Sequence, residues 1–321
     1  MEGNKGLIIF EKAMNKRFMD MANIHGLEVF RANLENNFDG NPVKNIFKRL
    51  LSKKNLLKTT AEIEAFIIEN KLDTVYFSSS EGFISHNIIC HLKTKLPDIY
   101  YIALQHGVFP LKFSKGKELA RGIVNSFSKT IFGVYAIGAG FGGILLNSYY
   151  VYSLREKNFL IKYKNWKDNQ VDAKLDFIKA DLLSHYNNSA VEQDSETAIF
   201  LMQCLHLAGL CSAEEEIKYT NVIIEYLSNK YKNVLIKLHP ACINQLDSIN
   251  LPKNVIVVKD MIDGFKKSKN AYSFFSTALI DAKIFNLKTI GIKIKGINID
   301  HEIYKNFDLT LDFEDILVSQ V

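Results

Sequence analysis

"AEEEIKYTNVIIEYLSNKYKNVLIKLHP", residues 213–240, changes its periodicity part-way along. Residues 213–231 carry apolar positions at the spacing of a long amphipathic helix, and Glu214, Glu215 and Glu216 in its first turn suit the helix dipole. "NVLIKLH" (233–239) is instead a short apolar run that reads as a buried strand. Pro240 cannot donate a ladder hydrogen bond, so the strand ends there, on a histidine. Lys237 and His239 flank Leu238, so period-two alternation puts them on one face. A long helix feeding a buried strand across a turn is half of a βαβ unit.

The same rhythm runs in both directions along the chain. Upstream, strands are expected at 6–10, 26–30, 73–79 and 99–107, with helices at 11–24, 59–71 (Thr60 as N-cap) and 85–97. Downstream, strands are expected at 197–205, 254–259, 271–275 and 288–293, with a helix at 277–286. Strands alternating with helices of this length mean parallel sheets in the α/β class. A chain of 321 residues is large for one core. The expected organisation is two doubly wound, Rossmann-like domains facing a cleft, at 1–185 and 186–321.

Composition narrows the function. Forty basic against 35 acidic residues give a net charge of +5, too mild for a nucleic-acid binder but enough for a local basic face toward phosphate or anionic lipid. The four cysteines, Cys90, Cys204, Cys211 and Cys242, form no C-x-x-C pair, and none is read as sitting beside a histidine at zinc spacing. Reduced thiols, a cytoplasmic setting and no metal or cofactor are expected. The N-terminal apolar run is too short for a signal peptide.

Ligands of doubly wound sheets bind beyond the carboxyl ends of the strands, so the polar strand ends are the candidate site. "FSSSEGF" (77–83) offers Ser80, Glu81 and Gly82, with Glu81 able to take a proton from a sugar hydroxyl and Gly82 allowing close backbone approach. "LQHGVFP" (104–110) offers Gln105, His106 and Gly107, with His106 a donor to a phosphate or sugar. Lys237, His239 and Pro240 form a third group suited to phosphate. Ser276 and Thr277 open a helix after a strand, where hydroxyls and backbone N–H groups favour an anion. Each has an ordinary alternative as a turn, a cap or a surface cation. There is no G-x-x-x-x-G-K-[ST], D-x-D or G-x-S-x-G, and "IGAGFGGILL" (137–146) does not follow the strand–turn–helix order of a dinucleotide fingerprint.

Glu81–Gly82, "KLHP" and Ser276–Thr277, in that order, resemble the bacterial sialyltransferases and polysialyltransferases of capsule and lipooligosaccharide synthesis. The resemblance implies a GT-B fold and an inverting, metal-independent glycosyltransferase with a CMP-activated sialic-acid-type donor and a surface glycan or lipid-linked acceptor. It makes Glu81 the general base and puts His239, Ser276 and Thr277 on the CMP phosphate; from their strand-end positions, His106 is the second catalytic candidate and Lys237 and Pro240 support the phosphate. Ser80, Gly82, Gln105 and Gly107 fall on the acceptor or sugar side. One departure is Ser80–Glu81 where the family has two acids. Another is "LQHG", which looks more like capsule Kdo transferases and CDP-glycerol or CDP-ribitol phosphotransferases. Those remain the alternatives, together with a non-catalytic nucleotide- or glycan-binding relative.

Residues 122–152 are apolar, rich in glycine and aromatics, and flanked by cations. The uncharged run 130–154 is long enough to span a membrane, but its glycines and polar residues argue against it. An interfacial element docking peripherally on the inner face of the cytoplasmic membrane is preferred, with a buried core element as the equal alternative.

Overall fold

The computed structural model describes residues 3–10, 15–32, 48–49, 51–105, 107, 114–207, 209–239, 242, 246–297 and 299–319. His106 and Pro240 lie outside the described residues. The chain divides into two compact units, one running from the N-terminus to Asp181 and one from Leu182 to the C-terminus, with Gly107 counted in the second.

The first unit is a six-stranded sheet of β1 (Asn4–Ile9), β2 (Glu28–Arg31), β3 (Leu72–Phe77), β4 (Tyr100–Leu104), β5 (Ser148–Val151) and β6 (Val171–Ala173), in the order β2-β1-β3-β4-β5-β6. The second contains β7 (Asp194–Leu201), β8 (Asn233–Lys237), β9 (Val255–Val257), β10 (Ser268–Ser273), β11 (Lys288–Lys293) and β12 (Leu309–Asp312), in the order β12-β11-β10-β7-β8-β9. Every recorded strand pairing is parallel. The central strands are buried along most of their length, as expected when helices cover both faces.

Each sheet reverses its winding once. In the first, the chain leaves β1 for β2 on one side and returns to lay β3 on the other. In the second, β8 and β9 extend one way from β7, and β10 returns to its other side. The crevices beyond β1/β3 and beyond β7/β10 are therefore the switch points where such sheets take ligands.

The helix Ala213–Lys230 shows how sequence makes this frame. Ser212 Oγ accepts from Glu215 N and Glu215 reaches back to Ser212 N, closing a capping box. Its inward face is Glu216, Thr220, Ile223, Ile224 and Leu227, packed into a core with Phe200, Phe265, Phe274 and Phe285. Burying each such aliphatic side chain contributes about 1.5–3 kcal/mol. The three first-turn acids do not share one role: Glu215 caps, and Glu216 is fully buried.

Three expectations need correction. The helix expected at 59–71 begins at Lys53, and Thr60 is no N-cap: it is buried within the helix, its Oγ1 donating to Leu56 O at 2.7 Å. The stretch 122–152 is not one element. It divides into the end of the helix Lys115–Phe132, a glycine-containing connection, and the buried strand β5. Finally, the cysteines are not four separate thiols: the structure pairs Cys204 and Cys242 as a disulfide, with a Cα–Cα distance of 6.2 Å. Their 38-residue separation hid this from spacing rules.

Candidate active site

In the first unit the site grows from the end of β3. Ser78 ties that strand to its neighbour across the switch point: its N donates to Ile8 O at 3.0 Å, and its Oγ accepts from Phe10 N at 3.1 Å. Three residues on, Glu81 is held by two hydroxyl donors. Ser79 Oγ donates to Oε2 at 3.0 Å and Tyr149 OH to Oε1 at 2.8 Å. Tyr149 lies on β5 and is fully buried. Burial first, and then the Glu81 charge, raise the pKa of its hydroxyl well above the ordinary tyrosine value. It therefore stays protonated and acts as a fixed donor. The Glu81 side chain is thus aimed by the sheet itself.

The glycine run 137–146 acts as a clasp on this turn. Gly140 N donates to Glu81 O at 3.1 Å. A Cβ on Gly138 would stand 2.2 Å from Glu81 O and 2.7 Å from the Gly82 carbonyl carbon, so only glycine lets the two backbones meet. Gly140 has φ +71°, in the region that favours glycine. The helix Phe83–Lys95 holds the clasp's other end. His86 Nδ1 meets Ile137 O at 3.0 Å, its ring stacks on Tyr135 at 4.1 Å, and Asn87 exchanges hydrogen bonds with the Tyr135 backbone. Burial lowers the His86 pKa, favouring its neutral form.

The other first-unit candidates are placed as follows. Ser80 is fully buried, next to Glu81. Gly82 caps the helix Phe83–Lys95 with an ordinary extended φ of −72°. A Cβ there would meet only Ser85 Oγ at 3.6 Å, so the close approach is owed to Gly138 instead. Gln105 is fully buried, and its Oε1 accepts from Tyr152 N at 2.8 Å, fastening β4 to β5. Gly107, counted in the second unit, has nothing within 4 Å of its Cβ position.

In the second unit the alternation at the end of β8 holds: Lys237 is half-buried, Leu238 buried and His239 exposed. Lys237 Nζ donates to Leu238 O at 3.0 Å. Burial first, then the Lys237 charge, lower the His239 pKa, opposed by Glu216. At the end of β10, Ser276 Oγ accepts from Ala278 N at 3.2 Å and Ser276 O from Leu279 N at 3.0 Å. Thr277 holds the N-cap position of the helix Ala278–Ile284 without a side-chain capping bond. Gln203, which the sequence reading passed over, joins this end of the sheet: its Oε1 accepts from Phe275 N at 2.7 Å. The end of β10 is thereby tied to the residues following β7. Gln203 carries a faint signal, a polar group just past the exit of an apolar strand, whereas Tyr149, the second residue of β5, carries none.

The model of the alpha-2,8-polysialyltransferase family matches residues 4–291. The chain belongs to this family. The matched span contains Glu81–Gly82, Lys237–Pro240 and Ser276–Thr277, the residues that carry the resemblance, and also His106, which departs from it. No curated protein matches the sequence. Among solved structures, the polysialyltransferase-family chain is similar to UDP-GlcNAc 2-epimerase from Neisseria meningitidis bound to UDP-GlcNAc, with TM-score 0.54 and 11% identity over 98% of this chain and 90% of that one. It is also similar to UDP-GlcNAc 2-epimerase from Methanocaldococcus jannaschii in complex with UDP-GlcNAc and UDP (0.53, 12%, 98% and 91%). A third is the glycosyltransferase SnogD from Streptomyces nogalater (0.53, 11%, 98% and 88%). At such identities these likenesses speak to the fold alone, and it is the GT-B fold of paired Rossmann-like units. The family match makes the chain a glycosyltransferase of the sialyltransferase type.

Proposed function

We propose that the chain transfers a sialic-acid-type sugar from a CMP-activated donor to a surface glycan or lipid-linked acceptor, with inversion and without a metal at the reacting centre. The observation that carries this reading is Glu81, a carboxylate aimed by Ser79 and Tyr149 at a switch point of the first sheet. In the reaction, the acceptor hydroxyl attacks the anomeric carbon and Glu81 takes its proton, assisted by His106. The bond from that carbon to the phosphate oxygen breaks, and CMP leaves with the electron pair. One carboxylate suffices for a single in-line displacement.

The departing phosphate gains negative charge, and the end of β8 supplies cationic and N–H partners in Lys237 and His239, with Pro240 setting where the chain leaves. The Ser276 and Thr277 hydroxyls serve the same phosphate. CMP carries less charge than a nucleoside diphosphate, so this set is adequate electrostatically. Ser80, Gly82, Gln105 and Gly107 shape the turns on the sugar side. For Gln105 that role is indirect through its oxygen, since Oε1 accepts from Tyr152 N.

A thermal-shift series with CMP, CDP, UDP and GDP tests the donor. Stabilisation follows ligand concentration over Kd. CMP and CDP are expected to raise Tm more than UDP or GDP, and the reverse order would overturn the cytidine reading.

Access to a lipid-linked acceptor has its own structural support. The helix Lys115–Phe132 is turned inside out. Asn125 and Ser128 face inward, holding Ile137 N and Ala136 N at 2.9 Å each. Leu119, Ile123, Phe127 and Ile131, four residues apart, are 68, 62, 64 and 55% exposed. Lys115, Lys117 and Lys129 lie on the same helix. An apolar stripe among cations suits the interface of an anionic bilayer, lying on it and not crossing it. No described helix is long and apolar enough to cross a membrane. The chain is expected to float with phosphatidylserine-containing vesicles and to sediment away from them once Ile123 and Phe127 are both replaced by serine. Equal flotation of both proteins would sink the idea.

A further inference from the structure

Beyond the transferase site, one cluster in the second unit is unaccounted for. Cys204 and His206 follow β7, Cys242 follows His239 by three residues, and Glu216 comes from the first turn of the helix Ala213–Lys230. One donor atom from each of the four lies within 4.8 Å of the others. Glu216 Oε2 accepts from His206 N at 2.7 Å and meets His206 Nδ1 at 2.9 Å, and Cys242 Sγ meets Oε1 at 3.5 Å. The carboxylate is fully buried and the histidine side chain 24% exposed.

We propose that Cys204, His206, Glu216 and Cys242 form a structural zinc site that fastens the segment carrying His239 to the residues following β7. Two sulfurs, an imidazole nitrogen and a carboxylate oxygen are a four-ligand set for tetrahedral Zn²⁺, with metal–ligand distances of about 2.0–2.3 Å. Thiolate with imidazole selects zinc over magnesium or calcium.

A bare disulfide explains less of the cluster. Its sulfurs carry no hydrogen, so Oε1 of a fully buried carboxylate would face an atom unable to donate to it, at a desolvation cost. With a dication, both thiols ionise and release their protons, and the carboxylate gains a partner of opposite charge. The cluster's place explains its value. Cys242 N donates to His239 O at 2.9 Å, so a metal on Cys242 would restrain the backbone of the proposed phosphate ligand. The ion stands behind that loop as a brace and takes no part in the sugar transfer.

The test uses the full chain without a histidine tag, purified under a non-thiol reductant. Elemental analysis is expected to find about one zinc per chain. Exchange with Co²⁺ is expected to produce a thiolate-to-cobalt charge-transfer band and the visible bands of a tetrahedral ion. Chelation should lower Tm, and added zinc should restore it. Replacing both Cys204 and Cys242 by serine should abolish metal and bands together, whereas Cys90→Ser should change neither. If the serine pair fails to fold, the wild-type cobalt spectrum and the chelation of wild-type protein still decide. Reduced wild-type chain that takes up neither zinc nor cobalt would overturn the proposal. So would two of the four cysteines staying unreactive to a thiol reagent in denaturant until reduced, which marks a permanent disulfide. Metal content is read without any activity, so its failure is separate from failure of the transferase reading.

Discussion

Replacing Glu81 by glutamine is expected to lower kcat by about 10²- to 10⁴-fold, the range a positioned general base contributes. Affinity for CMP should hardly change, because the substitution leaves the groups at the ends of β8 and β10 untouched. The amide keeps the size of the side chain: its oxygen can accept from Tyr149, which stands on one carboxylate oxygen, and its NH2 can donate to the Ser79 hydroxyl, which stands on the other. The loss would therefore report proton transfer and not a collapsed turn. Tyr149→Phe supplies the companion measurement. It keeps the carboxylate but removes the donor at 2.8 Å, and should cost less in kcat than Glu81→Gln. Steady-state assays with a verified CMP-sugar, beside CMP binding by calorimetry, check both. Unchanged turnover in Glu81→Gln would remove Glu81 from the mechanism.

His239→Ala is expected to act on the other substrate term. Hydrogen bonds to a charged group contribute about 1.5–3 kcal/mol, roughly tenfold to a hundredfold in the Kd for CMP. Folding should be unaffected, since the side chain is exposed at the end of β8. The sign of the pH dependence follows from the shift. Partial desolvation of the exposed ring and the Lys237 charge set the His239 pKa below its ordinary value, so the imidazole is mostly neutral at pH 7. A phosphate favours the protonated ring. The ratio of wild-type to variant affinity should therefore grow as pH falls below about 6.5. Titration of CMP itself is common to both proteins and cancels in that ratio. A ratio that is flat, or that falls toward acid pH, would take His239 off the phosphate.

Much of the architecture was legible because parallel strands buried on both faces are written as apolar runs. β8 and β11 were readable within a residue or two of their structural bounds, and so was the helix Ala213–Lys230. β5 was not, because its residues "SYYV" sit at the end of a long apolar stretch with no contrast in composition. The edge strand β12 was also missed, being four residues long and mostly exposed. At the site, Glu81 and His239 were visible as polar residues ending apolar strands. The donors on Glu81 divide instructively. Ser79 is two residues away and adjacent in the motif, whereas Tyr149 is 68 residues away and arrives only through the ordering of strands in the sheet.

By itself the sequence determined the α/β class, the alternation of strands with helices, the strand ends worth inspecting and the family likeness, since all of these are written in local periodicity and short motifs. Tertiary structure decided which groups meet. It set Tyr149 on Glu81, Gly138 against the Glu81 carbonyl, and Gln203 under Phe275. It turned the helix Lys115–Phe132 apolar side out, and it gathered Cys204, His206, Glu216 and Cys242 from three segments. Such meetings depend on strand order and crossover path, which bring distant residues within hydrogen-bonding reach and leave no trace in the spacing along the chain.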